Sequence, residues 1–279
     1  MNEQTAMLAA RDGAKIFYRW VQPPRPRGIV LISHGVNEHS GRYGRVLEFL
    51  AGRGWAAFVP DLRGHGHLAR VLGDLESLDK VLEDLEAVRQ EARRLLPGLP
   101  VLVWGFSLGG LFALLYAHRY QQELCGLILC APSVMLPSYV SPLLVLLSSL
   151  IAALFPLLPV QEFDYTRLSR DPEVIRRLKE DPLYYKGKLR SRTGVEILRG
   201  MKRVVPLLPG IRLPTLILHG GEDVTVEPAS SRLVLEGISS PDKELRLFPG
   251  LRHEILNEPE REEVYALVAR WLERRVPSP

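Results

Sequence analysis

Short, almost uninterrupted apolar runs recur along the chain at 28–33, 55–59, 101–104, 124–130 and 214–219, with a further run at 16–21 and an alternating stretch at 244–248. Runs this brief and this uniformly apolar fit strands covered on both faces, whereas the alternation at 244–248 fits an edge-type strand. Between them apolar residues fall at helical spacing, most clearly over Leu75–Leu96 and in the final Glu260–Arg274. Strand and helix patterns that alternate in this way predict one α/β domain, a mostly parallel central sheet flanked by helices. The 279 residues are ample for a substantial core, and no internal repeat or low-complexity tract interrupts them.

One segment departs from the alternation. From Ala131 to Gln161 there is no Asp, Glu, Lys or Arg, and Leu143–Phe155 is almost wholly aliphatic. Prolines at 137, 142, 156 and 159 leave only residues 143–155 uninterrupted, whereas a membrane span needs about 20 apolar residues. No transmembrane span is expected. The pattern predicts a helix over 143–155 that is apolar on most sides, either exposed on one face or buried beneath its neighbours.

The clearest chemical signal lies where a strand pattern runs into a helix pattern. Gly105-Phe106-Ser107-Leu108-Gly109 sits between the apolar run Val101–Trp104 and the helix-like run Leu111–His118. That is the context of a nucleophile elbow, a sharp strand-to-helix turn that lifts a serine hydroxyl above the sheet. Side chains at 105 and 109 would collide with the adjoining strand and helix, which glycine avoids. The motif alone also fits an ordinary glycine-rich turn.

A serine needs a base to take its proton, and the base needs an acid to hold its tautomer. Both follow in the order expected after an elbow, acid first and histidine second. The strand pattern Pro214–His219 ends in Gly220-Gly221-Glu222-Asp223, and Asp223 is the candidate acid, ahead of its neighbour Glu222, whose side chain would point the other way. After the alternating stretch, Pro249-Gly250-Leu251-Arg252-His253 offers His253 as the base. For the oxyanion, the strand pattern Gly28–Ser33 runs into His34-Gly35-Val36, which nominates the backbone N–H of Val36 together with that of Leu108.

Taken with Asp61-Leu-Arg-Gly-His-Gly66, these motifs and His34-Gly-Val-Asn-Glu-His-Ser-Gly-Arg-Tyr43 make the chain resemble the monoacylglycerol lipase and lysophospholipase family of α/β-hydrolases, collinearly over residues 10–273. The resemblance implies an α/β-hydrolase fold with Ser107, Asp223 and His253 as triad, no cofactor, and a helical cap inserted before the acid-bearing strand. The cap is placed at residues 132–208, leaving 1–131 and 209–279 as the core. The expected substrate is a single-chain lipid ester, monoacylglycerol first, with lysophospholipid and short-chain esters as rivals and, more remotely, aminopeptidase activity on the same fold. A binding protein that has lost turnover is the alternative of a different class. Phe106 stands where the family often carries histidine or another polar residue. Glu38 and Arg42 either brace the oxyanion loop or touch a polar head group, and Tyr184 and Tyr185 either line the pocket mouth or pack within the cap. Asp171-Pro172 and Asp181-Pro182 read as helix starts.

Composition adds exclusions. The net charge of +4 comes from arginines dispersed among nearly as many acids, without the concentrated stripe of a nucleic-acid surface. Transient contact of the apolar cap with a membrane or micelle remains compatible with it. Cys125 and Cys130 share one strand pattern, about 16 Å apart at strand rise, beyond disulfide reach. With no signal-peptide pattern at the start, the expectation is a cytoplasmic protein, peripheral to membrane at most. His34, His65 and His67 lack the partners and closed geometry of a metal site, and none is expected. His219 reads as a packed or hydrogen-bonded strand-end residue.

Overall fold

The computed structural model describes residues 3–136, 138 and 140–275. In chain order its main elements begin with β1 (Gln4–Ala9), β2 (Lys15–Val21), β3 (Gly28–Ser33), α1 (Gly44–Ala51), β4 (Trp55–Pro60), α2 (Leu78–Leu95), β5 (Val101–Phe106), α3 (Leu108–Tyr120) and β6 (Gly126–Cys130). Then come α4 (Pro142–Leu154), β7 (Pro159–Gln161), α5 (Pro172–Glu180), β8 (Leu189–Arg190) and α6 (Ser191–Val204). The chain returns with β9 (Thr215–Gly220), α7 (Ala229–Gly237), β10 (Lys243–Phe248) and α8 (Arg261–Arg275).

Eight strands form one sheet in the order β1-β2-β4-β3-β5-β6-β9-β10, antiparallel where β2 meets β1 and β4 and parallel elsewhere. Strand periodicity divides each apolar run between two cores. In β3, Ile29 and Leu31 join the layer beneath α2 and α3, with Leu85, Phe112 and Val234. Val30 and Ile32 join the opposite layer beneath α1 and α8, with Leu50, Trp104 and Trp271. The central strands are therefore apolar throughout because both faces are covered.

Several boundaries differ from the sequence expectation for identifiable reasons. The periodicity did not signal β1, an edge strand whose residues are only half-buried or exposed. β6 begins at Gly126, so Cys125 lies just ahead of the strand; both thiols are free. Asp171 does cap a helix, accepting the Glu173 N–H at 2.8 Å ahead of α5. Asp181-Pro182 does not start one: Asp181 ends α5, and its carboxylate is taken by the Leu183 N–H at 2.9 Å and by His39.

The order of the sheet fixes where a ligand can bind. β3 is flanked by β4 on one side and β5 on the other, so chain direction across the sheet reverses there, and a crevice opens at the strands' carboxyl ends. Ser33 is paired with Gly105 in the β3–β5 register, which sets the two following loops side by side. The excursion between β6 and β9 covers that end. It is tied down by Thr193 Oγ1, which accepts from Leu75 N at 3.0 Å and donates to Gly73 O at 2.8 Å, and by Glu196, which accepts from Leu78 N at 2.8 Å.

α4 buries none of its residues. Leu144, Val145, Ser148 and Ile151 face a cavity beneath it, while Leu143, Leu146, Leu150 and Leu154 face outward, each more than half exposed. Of the two expectations for 143–155, the exposed one holds. Among the described residues no helix is long and apolar enough to cross a membrane.

Candidate active site

β5 ends in a turn that no ordinary backbone makes comfortably. Ser107 has φ +54 and ψ −119, a positive-φ conformation that side chains resist and that marks stored strain. A Cβ on Gly105 would lie 2.4 Å from Gly109 O, and one on Gly109 would lie 2.0 Å from Ser33 O, so both positions require glycine. The serine main chain is held by its N–H to Cys130 O at 2.8 Å and by Gly110 N and Ser133 N on its carbonyl at 2.9 and 3.1 Å. The next residue, Leu108, begins α3, so its N–H is free of helical partners and lies at the positive end of the helix dipole.

The β3 loop presents the second donor. His34 is fully buried; its Nε2 accepts the Leu62 N–H at 3.0 Å, so Nδ1 carries the hydrogen and donates to Gly35 O at 2.8 Å. Burial and the neighbouring His65 hold the His34 pKa down at about 3, so it keeps that tautomer at neutral pH. In a trans peptide the N–H opposes the C=O. Pinning Gly35 O to His34 therefore turns the Val36 N–H to the opposite side of that peptide, and Val36 lines the same cavity as Ser107 and Leu108.

Asp223 and His253 meet across two loops. The acid stands in the turn after β9, buried, with Oδ1 accepting from Thr225 N at 2.8 Å and Val226 N at 3.0 Å. Its Oδ2 is 2.6 Å from His253 Nδ1. Burial works against the charge, but His253, His219 and these hydrogen bonds hold the carboxyl well below its ordinary range. An ionised carboxylate only accepts, so His253 Nδ1 donates, and in the neutral ring this leaves the lone pair on Nε2. Burial lowers the His253 pKa, yet Asp223, Glu254 and Glu38 outweigh it and leave it raised. Glu222, the rival acid, is exposed. Ser107 Oγ and His253 share no hydrogen bond here, a contact that commonly closes only when substrate is bound.

His219 is buried and hydrogen-bonded at the strand end, as one of its two readings has it. Its Nε2 lies 2.8 Å from Val226 O, an acceptor only, and 3.1 Å from Asp223 Oδ2, while Nδ1 meets Ser231 Oγ at 2.6 Å. Its Nε2–H donates to Val226 O and lies beside the Asp223 carboxylate, whose charge it supports. The proximity to Asp223 depends on the turn folding back over its own strand.

The remaining candidates separate into two groups. Phe106 packs its ring 5.0 Å from that of His253, and with Glu38, Arg42 and Glu254 it lines a small cavity behind the site, apart from the large one. Arg42 bonds Glu254 at 2.9 Å and lies 3.8 Å from Glu38. Burial, with Glu254 nearby, pushes the Glu38 carboxyl up to about 8. Neither tyrosine lines the large cavity. Tyr184 is buried among Leu168, Leu178, Phe163 and Tyr165, with Arg42 5.6 Å from its ring, and Tyr185 donates from its hydroxyl to Lys188 O. Both are packing residues.

The large cavity, about 1050 Å³ with the open space at its mouth included, is walled mainly by apolar side chains, among them Leu144, Val145 and Ile151 of α4 and Ile197, Leu198 and Met201 of α6. Among the described residues no group of three or more His, Cys, Asp or Glu is placed to hold a metal.

The family described as serine aminopeptidase S33 matches residues 24–260. The chain belongs to that family. It is 34% identical over 267 residues to the monoacylglycerol lipase of Mycolicibacterium smegmatis, covering 95% of each chain, and 31% identical over 244 residues to the phospholipase YtpA of Bacillus subtilis, covering 86% of this chain and 93% of the relative. A soluble variant of the Saccharomyces cerevisiae monoglyceride lipase, solved in complex with a substrate analogue, superimposes with a TM-score of 0.89 at 25% identity, covering all of this chain and 97% of the other. The family is that of α/β-hydrolases, as the sheet order and its flanking helices require.

Proposed function

We propose that this protein is a serine hydrolase that cleaves the ester bond of monoacylglycerols, releasing glycerol and a fatty acid, with Ser107 as nucleophile, His253 as base and Asp223 as its orienting acid. The observation that supports this reading is a strained serine on the wall of an apolar cavity that Val36 and Leu108 also line. The acyl chain lies along α4 and α6, burying methylene groups at about 0.8 kcal/mol each. As the Ser107 hydroxyl attacks the carbonyl, His253 Nε2 takes its proton, and the amides of Val36 and Leu108 receive the negative oxygen. Asp223 stabilises the imidazolium. His253 returns the proton to the departing glycerol oxygen, and water then repeats the sequence to free the acid.

Residues 132–208 act as the cap in this reading. The outward leucines of α4 form the face that meets a lipid surface, holding the cavity mouth against the source of substrate. Lysophospholipid is the second reading, supported by the similarity to the Bacillus phospholipase. The nucleophile is tested with a fluorophosphonate probe and peptide mapping. The adduct is expected on Ser107, with none on Ser107→Ala; labelling of another serine overturns the assignment.

A further inference from the structure

Asn37 stands immediately after the Val36 amide, and three features set it apart. Its φ is +67, a conformation where glycine is free and asparagine is the side chain that tolerates it best. It is 3% exposed, and its Oδ1 is buried with no hydrogen-bond partner among the described residues. It lines the large cavity with Ser107 and Leu108, and its own carbonyl is fixed by the Tyr185 N–H at 3.0 Å, which ties this residue to the cap. Folding has therefore put an amide in a mildly strained place on the wall of the cavity that Ser107 lines and left its oxygen unmet, where glycine would be the simpler choice.

We propose that Asn37 is a specificity-determining substrate contact, its side-chain amide accepting a hydrogen bond from a free hydroxyl on the alcohol half of the ester. The inference rests on the monoacylglycerol reading above and adds that the site selects esters of polyols over esters of alcohols with no second hydroxyl. The chemistry favours a hydroxyl over a charged group. The carboxamide is neutral, the cavity walls around it are largely apolar, and a hydroxyl brought there leaves water and needs an acceptor. Adjacency to the Val36 donor sets the amide near the scissile carbonyl rather than along the acyl chain. Glu38 and Arg42, in the separate cavity behind Phe106, do not compete for the same position.

The test compares kcat/KM on monooleoylglycerol and on methyl oleate, which share an acyl chain and differ in the hydroxyls, for the native protein and Asn37→Gly. Glycine relaxes at φ +67, so the variant keeps its fold, checked by thermal melting. The expected result is a fall of roughly tenfold or more on monooleoylglycerol with less than about a twofold change on methyl oleate, since a site built around a hydroxyl discriminates against the analogue lacking it. A native protein that prefers monooleoylglycerol while Asn37→Gly keeps the same preference overturns the role of Asn37 alone, as does an equal loss on both esters. A native protein that turns over neither ester overturns the monoacylglycerol reading and this inference with it.

Discussion

Gly109→Ala perturbs the geometry on which the proposed chemistry depends without touching any reacting group. Its Cβ would lie 2.0 Å from Ser33 O and 2.4 Å from His34 O, both main-chain atoms of the strand end opposite. Carbon and oxygen approach to about 3.3 Å at their closest favourable contact, so the start of α3 and the end of β3 must part by roughly 1 Å. Those segments carry the Leu108 and Val36 donors. Misplacing reacting groups by about 1 Å costs on the order of 100-fold, and losing one oxyanion donor altogether costs about 100- to 1000-fold in kcat. Overpacking removes a further ~1–3 kcal/mol of stability. The assay is saturation kinetics on p-nitrophenyl butyrate beneath the melting transition, with thermal melts in parallel. Gly98→Ala is the control: unlike Gly109, Gly98 has a left-handed backbone (φ +78) that an alanine strains, yet nothing lies within 4 Å of the added carbon, so it separates a general backbone penalty from the clash at the end of β3. We expect kcat to fall about 100-fold in Gly109→Ala, with KM nearly unchanged, and to hold in Gly98→Ala. A folded Gly109→Ala with native kcat would refute the oxyanion geometry.

Two further perturbations probe the base and the cap. As the proposed base, His253 would work only when neutral, so the acid limb of kcat/KM should follow its pKa, which the negative charges around it raise. Glu254→Gln removes one of those charges, destabilises the imidazolium and lowers that pKa; the limb should move to lower pH, and a limb that stays or moves up contradicts the assignment. Leu146→Ser with Leu150→Ser alters only the outward side of α4, where these residues are 78% and 61% exposed. Sedimentation with phosphatidylcholine vesicles should weaken severalfold while p-nitrophenyl butyrate turnover is unchanged, and undiminished vesicle binding would remove α4 as the contact surface.

Much of the architecture is legible in the sequence because burial on both faces makes the central strands uniformly apolar. The same physics hides β1, whose edge position leaves Met7 60% exposed. It also hides β7 and β8, which at three and two residues are too short for any period. Ser107, Asp223 and His253 stand out because each ends a strand pattern in a turn, and the structure brings the last two into a hydrogen bond. Asp181 misled because an Asp-Pro pair serves a helix end and a turn as readily as a helix start. Tyr184 and Tyr185 could not be placed from sequence, since an aromatic ring suits a pocket wall and a packed cap equally. Asn37 escaped for a different reason: its significance lies in a backbone angle, which leaves no pattern of residue types. His219 is legible as a strand-end residue, packed or hydrogen-bonded, but its nearness to Asp223 rests on a contact across a turn.

The central claim is that Ser107 hydrolyses a single-chain glycerol ester. Initial rates of the purified protein and of Ser107→Ala on monooleoylglycerol, lysophosphatidylcholine and p-nitrophenyl butyrate test it most directly. The account predicts the highest kcat/KM on monooleoylglycerol and a loss of at least about a thousandfold in Ser107→Ala, leaving only what the oxyanion donors and binding supply. Turnover of the short ester alone, or a Ser107→Ala variant keeping a tenth of the native rate, would contradict it.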